Sequence, residues 1–255
     1  MSIAVVIIAY NEEKHIVETI ASAKQVADEI IVADSGSTDA TVELAEKNGA
    51  KVVFRAWDDD FAAQRNFASD SAQSDYVFHL DADERINEKL AKSIKTVCQN
   101  NGQKIFSMRR VNMVFGKVFK FGEMRPDVVT RLYPRGKAHW EGHVHEKLVS
   151  DLPSAKLEGD ILHYTYEDWS LFLNKVNKYT TIWAEAAFER GKRTSLWGAI
   201  GHAAGAFFKG LVLKLAFAEG AGGLITTFMH SMYTLLKYVK LFQLQREQEG
   251  SGTGR

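Results

Sequence analysis

The sequence predicts an α/β fold, in which a mostly parallel sheet is followed by a helical extension at the C-terminus. Short apolar runs alternate with amphipathic segments over the first hundred residues, which is typical of a parallel sheet with helical crossovers. From Trp169 onward, apolar residues recur at helical spacing instead. The composition, 45% hydrophobic and 25% charged, excludes a disordered or fibrous chain.

Four strands are predicted in the first hundred residues, because continuous apolar runs are typical of strands covered on both faces. These runs are residues 3–9, 29–33, 51–54 and 76–80. The helices predicted between and after them cover residues 12–24, the segment after the turn at 35–39, residues 61–71 and residues 87–98. This arrangement is Rossmann-like, and such sheets bind ligands at the carboxyl ends of their strands.

The rest of the chain is predicted to complete this domain and then to become helical. Residues 101–168 contain β-like stretches and extend the domain to residues 1–168, of which 1–100 are the ligand-binding half. Residues 169–246 are predicted to form basic amphipathic helices. Residues 247–255 are polar and are expected to be a flexible tail.

The formal net charge is zero because an acidic excess in the first part of the chain is cancelled by a basic excess in the second part. Residues 1–168 carry 21 basic and 27 acidic side chains, whereas residues 169–246 carry 10 basic and 3 acidic ones. The acidic first part argues against nucleic acid as a partner. The basic, apolar second part predicts helices that lie on an anionic membrane surface, because its uncharged stretches are shorter than the roughly 20 residues of a spanning helix. The alternative is a pair of helices packed on the first domain.

Two features predict a cytoplasmic protein, peripheral at the inner face of the membrane. The chain has one cysteine, Cys98, so no intramolecular disulfide can form, which fits a reducing compartment. The N-terminal apolar run has no preceding basic region and no small-residue cleavage site. It is therefore interpreted as a strand and not as a signal peptide.

Asp81-Ala82-Asp83 follows the fourth predicted strand. Side chains alternate along an extended chain, so both carboxylates are expected on one side. Two acidic oxygen ligands suit Mg²⁺ or Mn²⁺ held jointly with a diphosphate leaving group. Arg65, on the predicted helix 61–71, is a candidate pyrophosphate contact. The alternatives are a helix-capping loop for the acidic pair and a solvated helix charge for the arginine.

Two further polar clusters follow the first two strands. Asp34 is expected to accept a hydrogen bond from the N3–H of a uracil, and Gly36 allows close approach of the backbone. Tyr10 is a candidate for stacking on a base, and Glu12 for contacting a ribose hydroxyl. Two alternatives stay open: Asp34 as the start of a turn or a helix cap, and Tyr10 as a core residue at the interface with solvent.

The strings IAYNEE, VADSGSTDAT, AAQRN and LDADE, in this order over the first 84 residues, resemble family 2 glycosyltransferases with a GT-A fold. The resemblance implies a UDP-sugar donor, a divalent cation and an inverting single displacement. It makes Asp83 the main metal ligand and Asp81 a donor or metal contact. The usual VVDDGS reads VADSGS here, so Ser35 replaces the second Asp. The nucleotide-sugar contacts implied are Ala9, Tyr10, Asn11, Glu12, Asp34, Gly36, Arg65 and Asp81.

The second half resembles a narrower group, the lipopolysaccharide core transferases that add β-linked glucose to inner-core heptose. The strings that carry this resemblance are RLY at 131–133, GHVHE at 142–146, HY at 163–164, the glycines at 220–223 and KYVKL at 237–241. The resemblance implies glucose as the sugar and a lipid-linked saccharide as the acceptor. It also implies that His163 completes the metal site or contacts the diphosphate; the alternative is a satisfied, buried histidine.

An inverting transfer needs a base within hydrogen-bond reach of the acceptor hydroxyl. The densest titratable cluster of the second half is residues 140–146, and Glu146 is the first candidate, with Glu141 second and His145 in the same cluster. If this stretch is extended, Glu146 and Glu141 lie on opposite faces and only one of them faces the cleft. A zinc site is rejected, because the two histidines of the cluster lack further ligands.

Two other functions remain as alternatives. A sugar-phosphate nucleotidyltransferase also uses an α/β sheet with paired acids, but residues 8–12 have no glycine of a phosphate-binding loop. A non-catalytic, membrane-associated protein that binds UDP-sugars would be favoured by loss of the acidic pair or of the His/Glu cluster, and both are present. The oligomeric state is open.

Overall fold

The structure is a computed structural model that describes residues 1–142, 146–164 and 169–252. The chain forms two compact units. The first comprises residues 1–111 and 127–164, and the second comprises residues 112–126 and the chain after residue 164. Residues 112–126 therefore belong with the C-terminal helices, whereas the sequence predicted an uninterrupted domain of residues 1–168. This difference could not be read from composition, because it depends on long-range packing.

The first unit is built on a largely parallel sheet, as predicted. Its strands are β1 (Ile3–Ala9), β2 (Glu29–Asp34), β3 (Lys51–Phe54), β4 (Tyr76–Asp81), β5 (Glu84–Ile86), β6 (Ile105–Val114), β8 (Asp127–Pro134) and β11 (Ser154–His163). The last three residues of β6 belong to the second unit, as does the two-residue β7 (Lys117–Val118) that pairs with them. The order is β3-β2-β1-β4-β8-β6-β11-β5. The first four strands are mutually parallel, and β8 runs antiparallel to β4.

Four helices cover this sheet, and a small hairpin lies beside it. The helices are α1 (Ile16–Ala23), α2 (Thr41–Lys47), α3 (Phe61–Asp70) and α4 (Glu88–Gln99), and the hairpin is formed by β9 (His139–Glu141) and β10 (Lys147–Val149). Two of the helices begin at side-chain caps: Asp60 accepts the N–H of Ala63, and Asn87 accepts the N–H of Leu90, each at 2.9 Å. These caps fix where α3 and α4 start.

The core lies on both faces of the sheet, which explains the continuous apolar runs. Alternate residues of β1 serve different clusters, so that Val5 and Ile7 pack with Ile20 of α1, whereas Val6 packs with Ala68 of α3. The strands predicted from these runs are confirmed to within one residue. Since every β1 side chain has a partner on one face or the other, the strand is fixed in register.

That register places the candidate site. Ala9, the last residue of β1, is paired with Asp34, the last residue of β2, and Ile8 is paired with Asp81, the last residue of β4. The three strands therefore end at the same edge of the sheet. The polar residues that follow them meet there, as the sequence predicted.

The second unit consists of helices together with the inserted residues 112–126. Its helices are α5 (Trp169–Glu189), α6 (Leu196–Phe208) and α7 (Ala221–Gly252), and a π-helical turn continues α6 over Lys209–Leu213. The Glu219 carboxylate accepts the backbone N–H groups of Lys120 and Phe121 at 2.7 and 3.1 Å, which binds the insertion to the segment before α7. Residues 247–252, which were expected to be part of a flexible tail, belong to α7. The helix continues beyond the end of its apolar stripe.

Large apolar side chains are exposed on the second unit. They are concentrated on α6 and the turns after it, and Trp197 is 81% exposed. Among the described residues, one helical stretch, Leu196–Leu213, has the length and composition needed to cross a membrane, with a mean hydropathy of 1.3 and 17% of it buried. Lys209 lies within that stretch, which is 18 residues long. Its length and composition alone do not distinguish a spanning helix from an interfacial one.

Candidate active site

The loops after β1 and β2 are joined by hydrogen bonds. The N–H of Asn11 donates to Ser37 Oγ at 2.9 Å, the N–H of Thr38 donates to Asn11 Oδ1 at 2.8 Å, and the N–H of Glu12 donates to Thr41 Oγ1 at 2.7 Å. Asn11 has a positive φ of 54°, a conformation that asparagine tolerates better than most residues. The two loops therefore form one surface, and the Tyr10 ring beside it is exposed.

Asp34 is buried and organises its own turn. Its Oδ2 accepts the N–H groups of Gly36 and Ser37 at 2.8 and 3.0 Å, and its Oδ1 accepts Ser37 Oγ at 2.5 Å. Gly36 has a φ of 100°, a value that favours glycine. The turn-forming alternative for Asp34 is thus observed. A carboxylate has about four acceptor positions, and the turn uses three of those of Asp34. The predicted contact of Asp34 with a base stays a prediction.

Asp81 lies between two buried arginines. Its Oδ1 accepts Arg65 Nη2 at 2.6 Å, and its Oδ2 accepts Arg131 Nη2 at 3.0 Å. Burial would raise the pKa of Asp81, but the charges of Arg131 and Arg65 outweigh it and hold that pKa well below its usual range. Both oxygens of Asp81 are therefore engaged. Asp81 thereby orients the two guanidinium groups. Since a carboxylate has about four acceptor positions, the expected metal contact of Asp81 stays a prediction.

The two arginines have donors to spare. Arg65 Nη1 and Arg131 Nε and Nη1 are buried and have no hydrogen-bond partner among the described residues. Buried polar groups are nearly always satisfied, so such donors call for an acceptor that the described residues do not supply. A guanidinium suits phosphate oxygens in particular, because its donors form a rigid planar fork. Arg131 belongs to the RLY string at 131–133, and the sequence predicted no role for it.

Asp83 lies beside His163 and not beside the arginines. Its Oδ2 is 3.3 Å from His163 Nε2, and its carbonyl accepts the N–H of Tyr164 at 3.0 Å. Burial would lower the pKa of His163, but the hydrogen bond and the charge of Asp83 raise it overall. Among the described residues, no group of three or more His, Cys, Asp and Glu side chains is arranged to hold a metal ion. Asp83 and His163 fit a partial site, because Mg²⁺ is commonly held by one or two protein ligands and completed by substrate phosphates and water.

The two candidate bases lie in different surroundings. Glu146 is 16% exposed, and its Oε1 accepts Arg65 Nε at 3.0 Å. Glu141 is 62% exposed and pairs with His139 at 2.8 Å. Glu141 ends β9 and Glu146 directly precedes β10, and the prediction that only one of them faces the cleft stays a prediction. His145 lies outside the described residues.

Sequence reasoning missed a buried network behind the arginines. His79, in the middle of β4, accepts at Nε2 from Trp140 Nε1 at 3.2 Å, and the same nitrogen lies 3.0 Å from Ser69 Oγ and 2.9 Å from Tyr133 Oη. Burial and the charge of Arg65 hold the pKa of His79 well below its ordinary value. The Trp140 ring lies 5.0 Å from the Arg65 guanidinium carbon and is buried, so it is a core residue.

Glu84 is a second missed residue, and it is fully buried. Its Oε2 accepts the N–H of Asp81 at 2.9 Å, and its Oε1 accepts Arg110 Nη1 at 3.3 Å. Glu84 belongs to the string LDADE, so its position was visible, but nothing in the sequence showed that it is buried or that Arg110 pairs with it. It supports the loop that carries Asp81 and Asp83.

Comparison with known proteins agrees with this arrangement. The chain matches Glycosyl transferase family 2 over residues 4–145. It is 27% identical to an uncharacterised glycosyltransferase of Rickettsia conorii, over 94% of this chain and 89% of that one. It is 26% identical to the lipopolysaccharide core biosynthesis glycosyltransferase LpsC of Rhizobium meliloti, over 93% of this chain and 90% of that one.

Solved structures were also compared. TarS of S. aureus, residues 1–349, is 15% identical over 99% of this chain and 92% of that chain, with a TM-score of 0.48. Glucosyl-3-phosphoglycerate synthase of Mycobacterium tuberculosis, in complex with Mn²⁺, UDP and phosphoglyceric acid, is 25% identical with a TM-score of 0.36. That match covers 44% of this chain and 43% of the synthase chain, so less than half of the synthase is represented.

The fold is that of a GT-A glycosyltransferase, and its polar strand ends lie in register at one edge of the sheet. The chain belongs to glycosyl transferase family 2, since that family accounts for more than half of it. The resemblance inferred from the four strings of the first 84 residues is confirmed.

Proposed function

We propose that this protein is an inverting glycosyltransferase that moves a hexose, with glucose as our first choice, from a UDP-sugar to a lipid-linked saccharide such as the heptose of the lipopolysaccharide inner core. One observation carries the donor half of this proposal. The register of β1, β2 and β4 brings the ends of all three strands, and hence Tyr10, Asp34 and Asp81, to one edge of the sheet. A UDP-sugar has a flat base and a charged diphosphate, so its site needs an aromatic ring and charged side chains next to each other.

Each end of the donor has candidate partners in this arrangement. The exposed Tyr10 ring is available for stacking on uracil, and the free acceptor positions of Asp34 suit its N3–H. The unpartnered N–H groups of Arg65 and Arg131 suit the oxygens of the diphosphate. Asp81 holds these two arginines in place, so it acts on the donor through them.

The acceptor end is assigned to Glu146. Its carboxylate takes the proton of the acceptor hydroxyl, and the resulting oxygen forms a bond to the anomeric carbon on the face opposite UDP. The bond between that carbon and the diphosphate oxygen breaks, and its electron pair leaves with UDP. Arg65 binds Glu146 at 3.0 Å, so the base and the donor-binding arginine are adjacent before substrates arrive.

The metal ligands proposed are Asp83 and His163. A Mg²⁺ or Mn²⁺ ion there would neutralise charge on the departing diphosphate. The hydrogen bond from His163 to Asp83 orients the carboxylate for this role. Replacement of either side chain should weaken metal binding without disturbing the arginine pair on Asp81.

The acceptor class rests on the second unit and on one relative. LpsC, which is 26% identical, is named for lipopolysaccharide core biosynthesis. The second unit exposes apolar side chains such as Trp197 and Phe217 on a basic part of the chain. Such a surface fits peripheral binding to an anionic membrane from the cytoplasmic side, where a lipid-linked acceptor would be found.

The deciding experiment is incubation with a panel of UDP-sugars and purified inner-core lipopolysaccharide acceptors, with and without a chelator. We expect one UDP-hexose to be consumed, a product heavier by one hexose, inverted configuration at the anomeric carbon, and no turnover with the chelator. Asp83→Asn should lose turnover while remaining folded. Retained configuration, full activity in the chelator, or release of pyrophosphate from a nucleoside triphosphate would contradict the proposal.

A further inference from the structure

Two lysines of the second unit share one tryptophan ring. Lys192 Nζ lies 5.1 Å and Lys237 Nζ lies 4.7 Å from the centre of the Trp183 ring. Trp183 is on α5, Lys192 follows α5, and Lys237 is on α7, so three separate segments bring these groups together. An ammonium over an aromatic face is attracted to it, but two ammoniums in one place repel each other.

Neither charge is neutralised by a carboxylate. Within the part of the chain that the structure describes, neither lysine forms an ion pair, and the one hydrogen bond between them and the protein runs from Lys192 Nζ to Tyr238 Oη at 3.1 Å. By contrast, Lys214 is paired with Glu123 at 2.5 Å in the same unit. Lys192 is exposed and Lys237 is half-buried, and the pair is a positive centre without an acidic partner among the described residues.

Aromatic rings lie beside both ammoniums, and Lys237 is the less exposed of the two lysines. Lys237 lies over the rings of Tyr233 and Trp183. Lys192 lies over the Tyr238 ring. The His202 ring stacks on Tyr238, with 3.9 Å between the ring centres. Partial burial, with the charge of Lys192, lowers the pKa of Lys237. An anion placed between the two ammoniums would relieve both the desolvation and the repulsion.

We propose that Lys192 and Lys237 form a binding site for a phosphate monoester, presented to this protein as a lipid headgroup. Each ammonium has three donors, and Lys192 uses one of them on Tyr238. A phosphate monoester carries up to two negative charges and three acceptor oxygens, which matches two ammoniums in charge and in donors. A carboxylate would match only one of them.

The neighbouring side chains favour a lipid as the source of this phosphate. Ser195 caps α6 just after Lys192, and the first turns of α6 expose Leu196, Trp197 and Ile200. Exposed aliphatic and tryptophan side chains beside lysines are typical of segments at the boundary between headgroups and acyl chains. The site goes beyond the proposed glycosyl transfer and does not require a sugar donor.

The test is binding of the full chain, without donor, to phosphatidylcholine vesicles that contain either phosphatidic acid, a phosphomonoester, or phosphatidylglycerol, a phosphodiester, at matched surface potential. Simple charge attraction treats the two vesicles alike. We expect the wild-type chain to bind phosphatidic acid about tenfold more tightly in co-sedimentation, about 1.4 kcal/mol. The double variant Lys192→Gln/Lys237→Gln should lose this preference.

The matched control is Lys175→Gln/Arg190→Gln, which removes two exposed charges of the same segment. It should weaken binding to both vesicles equally and keep the preference for phosphatidic acid. Far-UV circular dichroism and UDP binding establish that each variant is folded, and glycosyl transfer to a soluble acceptor fragment is measured separately. Failure of the transfer assay would therefore not affect the conclusion from vesicle binding. Failure of vesicle binding would likewise not affect the conclusion from transfer.

Each outcome decides the matter. No preference in the wild-type chain, or a preference that survives in the lysine double variant, overturns the site. A preference that inorganic phosphate abolishes at constant ionic strength supports the site with soluble phosphate as its source. A preference that inorganic phosphate leaves unchanged supports the lipid headgroup.

Discussion

Arg65 donates a hydrogen bond of 2.6 Å to Asp81 from a position sixteen residues earlier in the chain. The helix α3 carries the arginine and the end of β4 carries the carboxylate. Arg131 approaches the other carboxylate oxygen from β8. The first aspartate of the Asp81-Ala82-Asp83 string is thereby an internal counter-ion, and the second is the one that we propose as a metal ligand.

Asp81→Asn should destabilise the protein by about 3–5 kcal/mol, because removal of one partner leaves two buried guanidinium groups undercompensated. The measurement is urea unfolding at neutral pH. Since the pKa of Asp81 is held well below its usual range, this stabilisation is complete at neutral pH and should be lost only as the pH falls toward strong acid.

The matched variant is Asp83→Asn. Among the described residues, Asp83 pairs with His163 alone, at 3.3 Å, so its loss should cost about 1 kcal/mol or less while abolishing metal-dependent transfer. Equal destabilisation by the two substitutions would contradict the assignment of Asp81 as a structural counter-ion and of Asp83 as a metal ligand.

Glu146→Gln should lower kcat by about 10²–10⁴, the usual contribution of a general base. The amide can still accept from Arg65, so the fold should be retained. Glu141→Gln is the control: Glu141 is exposed and, among the described residues, its ion-pair partner is His139, so most of the activity should remain. Steady-state transfer rates measure both, and the opposite ranking would move the base to Glu141.

Gly223→Ala should destabilise the second unit. A Cβ at this position would lie 1.8 Å from the Ala216 carbonyl oxygen, a distance no relaxed contact permits, and overpacking of this kind typically costs about 1–3 kcal/mol. Gly205→Ala on α6 meets nothing within 4 Å and should be neutral or stabilising by up to about 1 kcal/mol. Thermal unfolding followed by far-UV circular dichroism compares the two.

Cys98 should resist alkylation in the folded protein. Burial in the core raises the pKa of its thiol to about 12, and thiolate is the reactive form. Iodoacetamide at pH 8 should therefore label it only after addition of denaturant. Because the raised pKa favours the protonated thiol in the folded state, stability should decline as the pH rises above the thiol pKa of the unfolded chain. Rapid labelling of the native chain would show that α4 opens readily.

Local sequence was sufficient for the elements of the first unit. An apolar run such as residues 76–80 can hardly be anything but a buried strand, because side chains on both of its faces must be covered. The polar residues after each run were thereby placed at strand ends. The family followed from the same four strings and was confirmed.

Pairing across the chain was not accessible in this way. Arg131 lies fifty residues after Asp81, and Glu146 lies 81 residues after Arg65. Which carboxylate an arginine binds depends on the angles at which helix and strands pack, and those angles are set by many side chains at once. The same reason explains why residues 112–126 join the C-terminal helices, although their composition resembles that of the flanking strands.

The sequence by itself determined the α/β order, the strand ends and the membership in glycosyl transferase family 2, since these depend on periodicity and on short strings of neighbouring residues. The tertiary structure decided that Asp81 is a counter-ion, that Glu146 and not Glu141 adjoins Arg65, and that Lys192 and Lys237 meet on Trp183. Charges separated by tens of residues acquire their partners only when packing brings them within a few ångströms, because electrostatic and hydrogen-bond energies depend on distance in space and not on distance along the chain.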